Sequence, residues 1–285
     1  KPYTIFTPYK NAWLEKFKSG DFSVHYQSEN FIQNFVKFRF EFPELSEIGF
    51  TKGKHHVKEF NHDAIKDYHN YRDFPSKDLG TYLGPHLRFG TISIRQLMRE
   101  YFSSNETFIS ELIWREFFMQ ILYHFPKSEK ENFKKQYDTV KWRNNEDEFE
   151  KWCKGETGYP IVDAGMRQLN STGYMHNRVR MITASFLCKH LLIDWRWGEA
   201  YFAAKLLDYE LSSNVGNWQW AASTGCDAVP YFRIFNPITQ QQKFDPNFDY
   251  VKQFVPNFVE NKPLYKIIDH DFARKRALET YKNTD

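Results

Sequence analysis

Between Thr157 and Ala222 the chain makes four helix starts in close succession, and each start carries side chains that an ordinary helix has no use for. Pro160 suits a first helical position, Gly173 a left-handed C-terminal cap, and Asp194 and Ser212 or Ser213 suit N-caps. Asn177, Arg180 and Met181 fall on one side of the second helix, while Val179, Ile182 and Phe186 follow helical spacing along another, apolar side. In the last helix Asn214 and Trp218 are four apart and share a face. Trp218 and Trp220 are two apart and point nearly oppositely, so one indole is expected to face inward and the other to line a cavity. Ordinary core packing explains any single indole as well, but not the whole cluster.

A chain of 285 residues with 41% hydrophobic content has room for one large core or two domains. An aromatic fraction of 19% supplies many flat, polarisable faces, which suit stacking on a ring-shaped cofactor or on bases as well as dense packing. A net charge of +3 permits a local nucleic-acid patch without arguing for one. Cys153, Cys188 and Cys226 are an odd number without paired spacing, which suggests neither a disulfide framework nor a zinc site and fits a reducing cytoplasm. His55, His56, His62 and His69 lack a matching cluster of cysteines or acids, so no metal ligand is assigned. Lys189, His190 and Asp194 interrupt the best apolar run, so no membrane span is expected.

In chain order, residues 1–61 read as a connector and entry segment, and residues 62–285 as a helical domain. Phe38, Phe40 and Phe42 alternate with charges like a strand, but Pro43 ends the pattern and no partner strand is apparent, which makes an extended connector. Gly80-Thr81-Tyr82-Leu83-Gly84 is a glycine-bounded turn with amides free to hold phosphate. Behind it, Ser93 caps a helix carrying Ile94, Leu97, Met98 and Tyr101. The following helix sets Glu111, Trp114, Arg115 and Phe118 on one face, where a Glu111–Arg115 surface pair is the plainest use of the charges. After Trp220 a loop rich in amide and basic side chains, including Gln240, suits a phosphate backbone, and a charged helix from Asp271 to Lys282 reads as peripheral. Neither a dinucleotide fingerprint, a P-loop nor a Gly-x-Ser-x-Gly elbow is present, which leaves hydrolytic chemistry without machinery.

Thr157-Gly158-Tyr159-Pro160-Ile161-Val162-Asp163-Ala164, Met175-His176-Asn177-Arg178, Asn217-Trp218-Gln219-Trp220 and Tyr231-Phe232-Arg233-Ile234-Phe235-Asn236-Pro237 together resemble the DNA photolyase and cryptochrome family. The likeness runs from about Tyr68 to Lys252 and is greatest to bacterial class I cyclobutane pyrimidine dimer photolyases. It implies an all-α, multi-helix domain holding one noncovalent FAD beneath a cavity for a flipped-out pyrimidine dimer in DNA. It also implies an α/β antenna domain ahead of Lys1, with the antenna pigment left open, and a monomer acting in the cytoplasm.

By matched motif position, the resemblance assigns FAD contacts to Tyr68, Gly80, Thr81, Tyr82, Leu83, Gly84, Phe108, Arg180, Asp208, Tyr209, Glu210 and Asn214, with Asn214 facing the central ring. Glu111, Trp114, Asn177, Met181 and Trp220 match lesion contacts, and Arg72, Arg115, Arg178 and Gln240 match DNA contacts. Glu111, Trp114, Met181, Asn214 and Trp220 carry the catalytic role, and Trp142, Trp195 and Trp218 match the electron-transfer chain. Three departures stand out: Asp208-Tyr209-Glu210 replaces a usual Asp-Gly-Asp, the phosphate turn is poorer in serine, and Phe108 replaces a usual tryptophan. Light-driven repair is the expected activity. A cryptochrome-like photoreceptor is the alternative, and a flavin-free helical nucleic-acid-binding module is the plain one.

Overall fold

The computed structural model describes residues 1–20, 28–260 and 265–284. Among these, thirteen α-helices and several short 3₁₀ turns are present, and no strand. The helices are α1 (Phe6–Ser19), α2 (Tyr68–Tyr71), α3 (Leu83–Phe89), α4 (Ile94–Tyr101), α5 (Glu106–His124), α6 (Glu146–Lys154), α7 (Pro160–Thr172), α8 (Asn177–Ser185), α9 (Trp195–Lys205), α10 (Leu211–Ala222), α11 (Pro237–Phe244), α12 (Asp249–Phe254) and α13 (His270–Lys282).

Local chemistry sets most of these boundaries. Ser93, Asn105, Asn145, Asp194, Asn236 and Asp269 each accept a backbone N–H of the following first turn, which satisfies a donor the helix itself leaves open. Pro160 opens α7 and Gly173 closes it in the left-handed region at φ 70°. The cap of α10 differs from the serine expected from sequence. Glu210 does that work, accepting from the Ser212 and Ser213 amides at 3.0 and 2.9 Å while both hydroxyls also donate to it. Ser212 and Ser213 lie inside the first turn, where their own amides are among the donors to be satisfied, whereas Glu210 precedes the helix and its carboxylate accepts both.

Two main apolar cores form among the described residues, with a small third cluster of Tyr137, Val140, Leu192, Ala277 and Tyr281. The larger gathers Trp152, Met166, Leu187, Trp195, Phe202 and Trp218 from α6 through α10 and their connections. The smaller gathers Phe6, Leu97, Ile109, Ile113, Phe117 and Phe118 around α1, α4 and α5. α5 joins them, because Phe118 lies so close to Gly216 of α10 that a side chain there would overlap the ring. α1 packs on α5 within the same body: Phe6 stacks on Trp114 at 3.6 Å, and Trp13 donates to Glu116 at 3.0 Å.

The helix after Ser185 continues as one π turn, Phe186–His190, whose five residues are all buried. It aims Lys189 at the end of α10, where its ammonium donates to Ala222 O at 3.2 Å and Ser223 Oγ at 2.8 Å and lies 3.5 Å from the Tyr281 ring centre. Burial lowers the Lys189 pKa to about 7. The last helix is therefore not peripheral, contrary to its charged sequence. Ala273, Ala277 and Tyr281 of α13 are buried, and the Tyr281 hydroxyl donates to Ala222 O at 2.8 Å. Its charges occupy one face, and the alanines that let it approach closely occupy the other.

Gln240 likewise lies on a helix, α11, and not in a loop. Phe38, Phe40 and Phe42 are extended and exposed, with no ladder partner among the described residues. The three cysteines are free thiols. No helix among the described residues is long and apolar enough to cross a membrane.

Candidate functional site

An open cavity of about 100 Å³ lies between α8, α9 and α10. α8 contributes Asn177, Arg180 and Met181, at the i, i+3 and i+4 positions read from the sequence. Their orientation begins at His176, whose Nδ1 accepts the Arg178 amide at 3.2 Å and caps the helix. Burial pushes the His176 pKa down to about 4, so the ring is neutral near pH 7 and serves as an acceptor.

Arg180 and Asp208 form the polar floor. Arg180 donates to Asp208 Oδ2 at 2.9 Å and through Nε to Met175 O at 2.7 Å. The other oxygen, Asp208 Oδ1, is buried and has no protein partner. The glycine turn abuts this carboxylate: a Cβ at Gly84 would lie 2.6 Å from Asp208 Oδ2, so glycine is the residue that fits. Within the turn, Tyr82 sits at φ 53° and its ring lies 5.4 Å from Tyr174, while its hydroxyl is tied to Asp78 and Lys58. The Thr81 carbonyl accepts Asn61 N at 3.0 Å, and Leu83 is buried.

On α10, the Asn214 amide donates to Glu199 O at 3.1 Å and Glu199 Oε1 at 2.9 Å. Both N–H donors are thus spent on α9, and Oδ1 is the group left for the cavity. Burial raises the Glu199 pKa against the opposing hydrogen bond from Asn214. Trp218 and Trp220 both border the cavity, although their spacing implied that only one would. The difference is one of depth: Trp218 is 2% exposed, 4.9 Å edge-on to Phe202, whereas Trp220 is half-buried. Tyr209 and Glu210 also border it, with the Glu210 carboxylate engaged in capping α10.

A second group of the sequence-named residues assembles on α5, outside the cavity lining. Glu111 pairs with Arg72 at 2.5 Å and not with Arg115 four residues on, which is half-buried. The Arg72 guanidinium lies 5.2 Å from the Tyr68 ring centre, and Tyr68 meets Phe108 edge-on at 5.7 Å. Burial, then the Glu111 charge, pushes the Tyr68 pKa to about 12. Phe108 is buried in the smaller core, and Phe6 covers one face of Trp114. Arg178 pairs with Asp73 at 2.6 Å, and Gln240 is half-buried on α11.

The indoles named for electron transfer lie apart in the larger core. Trp195 is fully buried and donates to Asn132 Oδ1 at 2.9 Å, and Trp142 meets Tyr281 edge-on at 6.1 Å. Besides Phe202, Trp218 meets the Trp152 indole edge-on at 6.1 Å, a neighbour that sequence reasoning passed over. Glu199 and Asp73 were also missed. Their partners are 15 and 105 residues away, so no spacing rule signals them.

Set against known proteins, residues 108–266 match the profile of the FAD binding domain of DNA photolyase. A deoxyribodipyrimidine photo-lyase of Vibrio cholerae is 39% identical over 98% of this chain and 68% of its own length. The chain belongs to the DNA photolyase and cryptochrome family. A bacterial class III photolyase from Agrobacterium tumefaciens superposes with a TM-score of 0.72 and 44% identity, covering 78% of this chain and 53% of that one. A Synechocystis cryptochrome superposes with a TM-score of 0.73 at 27% identity, covering 86% and 61%. The chain thus spans about two thirds of the curated relative and about half of the class III structure.

The residues present fit FAD, the cofactor of this domain. Asp208 Oδ1 is a buried acceptor without a donor, suited to a ring N–H. Asn214 Oδ1 is a second acceptor on the facing helix, and Gly84 of the glycine turn lies against the Asp208 carboxylate where a Cβ would not fit.

Proposed function

We propose that this chain is the catalytic part of a light-driven enzyme that splits cyclobutane pyrimidine dimers in DNA. The observation that carries the reading is that one cavity presents both the Arg180–Asp208–Asn214 set and the Asn177–Met181–Trp220 set. The first suits a flavin and the second a flipped-out pyrimidine dimer, with its apolar faces and carbonyl edges. When bound, FAD supplies the light-driven electron that opens the cyclobutane ring and receives it back.

The chain's own residues bind and orient. Trp220 and Met181 offer the dimer an apolar, polarisable wall, and the Asn177 amide offers hydrogen bonds to pyrimidine carbonyls without titrating. Arg180 and Asp208 hold each other, so neither needs reorganisation when a ligand arrives. The Glu111 carboxylate, held by Arg72, is assigned to the lesion side, with Arg115, Arg178 and Gln240 meeting phosphates. His176 caps α8 and is neutral near pH 7, so acid chemistry by that imidazole is disfavoured. This fits a ring-splitting substrate and not a (6-4) photoproduct, whose reversal is expected to need histidine acid chemistry. We assign the activity to a cytoplasmic monomer.

The test is to illuminate the reduced, FAD-loaded protein, expressed with its full natural chain, on separate oligonucleotides bearing each lesion. Loss of the cyclobutane dimer with the (6-4) product untouched is the expected outcome. Repair of the (6-4) product alone would overturn the substrate, and repair of neither with intact flavin photoreduction would favour a photoreceptor.

Electron supply to the site is assigned to Trp218, Trp195 and Trp142, with Trp218 innermost against Phe202. A Trp218→Phe variant is expected to lose photoreduction of oxidised flavin by external donors while repairing normally once reduced chemically. Unchanged photoreduction would remove Trp218 from the path.

A further inference from the structure

Arg72 and Asp73 are consecutive, yet they reach different helices. Arg72 bonds Glu111 on α5 at 2.5 Å, and Asp73 accepts from Arg178 on α8 at 2.6 Å. The segment between α2 and Pro75 is thereby strapped across both groups of site residues, and buried Pro75 anchors its far end. Arg178 is fixed on a second side as well. Its guanidinium lies 4.4 Å from the Phe244 ring centre on α11, and Phe244 meets Phe74 edge-on at 6.4 Å. Asp73, Phe74, Phe244 and Arg178 thus close a ring of contacts, in which each member is held by two others.

We propose that Asp73 is a positioning residue for DNA, holding Arg178 on the Phe244 face in the orientation in which it takes a backbone phosphate. The inference rests on DNA being the substrate. Arg178 follows the cavity-lining Asn177 in the first turn of α8, so a phosphate on it belongs to a nucleotide at the cavity mouth. A free arginine loses substantial rotamer entropy when it binds, and a side chain already stacked and paired loses less. Asp73 bonds Nη2 alone, so of the five N–H donors most are not used by the carboxylate. A single hydrogen bond beside an aromatic shelf orients the fork without filling it. An anion standing in for phosphate would instead bind both arms in parallel.

Positioning and competition predict opposite signs. If Asp73 orients Arg178, Asp73→Asn weakens binding of dimer-containing duplex roughly three- to tenfold, whereas a competitor, once removed, tightens it. The loss must also pass through Arg178. In an Arg178→Gln background, which lowers the slope of log affinity against log salt by about 0.9, Asp73→Asn should add nothing. Asp73→Glu, which restores a carboxylate, should recover part of the loss.

The experiment measures duplex binding by the FAD-loaded protein across a salt series for wild type, the two single variants, the double variant and Asp73→Glu, with melting temperatures alongside. A loss confined to the Arg178 background, with melting unchanged, supports the proposal. Tighter binding, no change, or an equal loss in both backgrounds overturns it. Wild-type protein that ignores dimer DNA would bring down the DNA reading itself, a result distinct from wild-type binding that Asp73→Asn leaves unaltered. Should Asp73→Asn fail to fold, Phe244→Leu tests the same ring from its other side: weaker binding only where Arg178 is present supports it, and loss without Arg178 overturns it.

Discussion

Asp208→Ala protein is expected to purify without the flavin absorption band and to melt roughly 10 °C below the wild type. The two effects have separate causes. Flavin is lost because Asp208 Oδ1 is the buried, unpartnered acceptor of the cavity and Oδ2 lies against the Gly84 turn. Stability is lost because Arg180 keeps its position, with Nε on Met175 O, but its Nη2 loses the carboxylate 2.9 Å away. The Asp208 and Arg180 side chains are only 15% and 24% exposed, so solvent compensates poorly, and breaking such a pair costs about 3 to 5 kcal/mol. Absorbance of the purified protein and a thermal scan read the two effects independently. Stoichiometric FAD in Asp208→Ala would refute the assignment of Oδ1, and an unchanged melting point would show that the pair contributes nothing.

Acid is expected to unfold the protein through its interior histidines. His190 is fully buried on the π turn, 2.9 Å from His270 through Nε2, and its Nδ1 has no partner. Burial first, then His270 and Arg276, pushes its pKa down from 6.5 to about 3. A depressed histidine pKa means the unfolded chain takes up the proton first. Its contribution is complete above pH 6.5 and drains away as pH falls toward about 3, by about 2 kcal/mol at pH 5. His176, pushed down to about 4, adds a similar loss over a narrower window. A His190→Gln variant should therefore show a shallower fall of stability between pH 6.5 and 4, by up to about 1.4 kcal/mol per pH unit. Denaturant midpoints at stepped pH measure this, and parallel curves for the two proteins would show that His190 takes no part. The site of first failure is expected to be α13, since Arg276 on that helix donates to His190 O at 2.6 Å and faces the new charge.

Local rules made much of this protein legible in advance. Ser93, Asp194, Pro160 and Gly173 mark helix ends through chemistry contained within a few residues, and all four occupy those positions. The side of α8 that carries Asn177, Arg180 and Met181 is likewise a matter of 3.6-residue periodicity, and it faces the cavity. Long motifs in order carried the family and its flavin domain, because Asn217-Trp218-Gln219-Trp220 and its companions are too specific to arise from packing alone.

What failed was the choice between partners. Glu111 had Arg115 within reach on its own helix, yet the strap places Arg72 closer, and a surface pair is too weak to resist such a competitor. Ser212 and Ser213 read as caps, but Glu210 reaches both amides from outside the helix. Charge along α13 suggested a solvated helix, since alanines and one tyrosine give little apolar signal, while tight packing against the π turn buries them. Spacing and local capping chemistry therefore determined many of the helix ends and the cavity-facing side of α8, and the resemblance of the long motifs gave the family. Tertiary structure decided that Asn214 turns its N–H groups to Glu199, that Asp208 keeps one oxygen unpaired, and that Arg178 rests between Asp73 and Phe244. Periodicity governs which side of a helix a residue occupies, whereas a hydrogen bond between residues 15 or 105 apart depends on where whole helices come to rest.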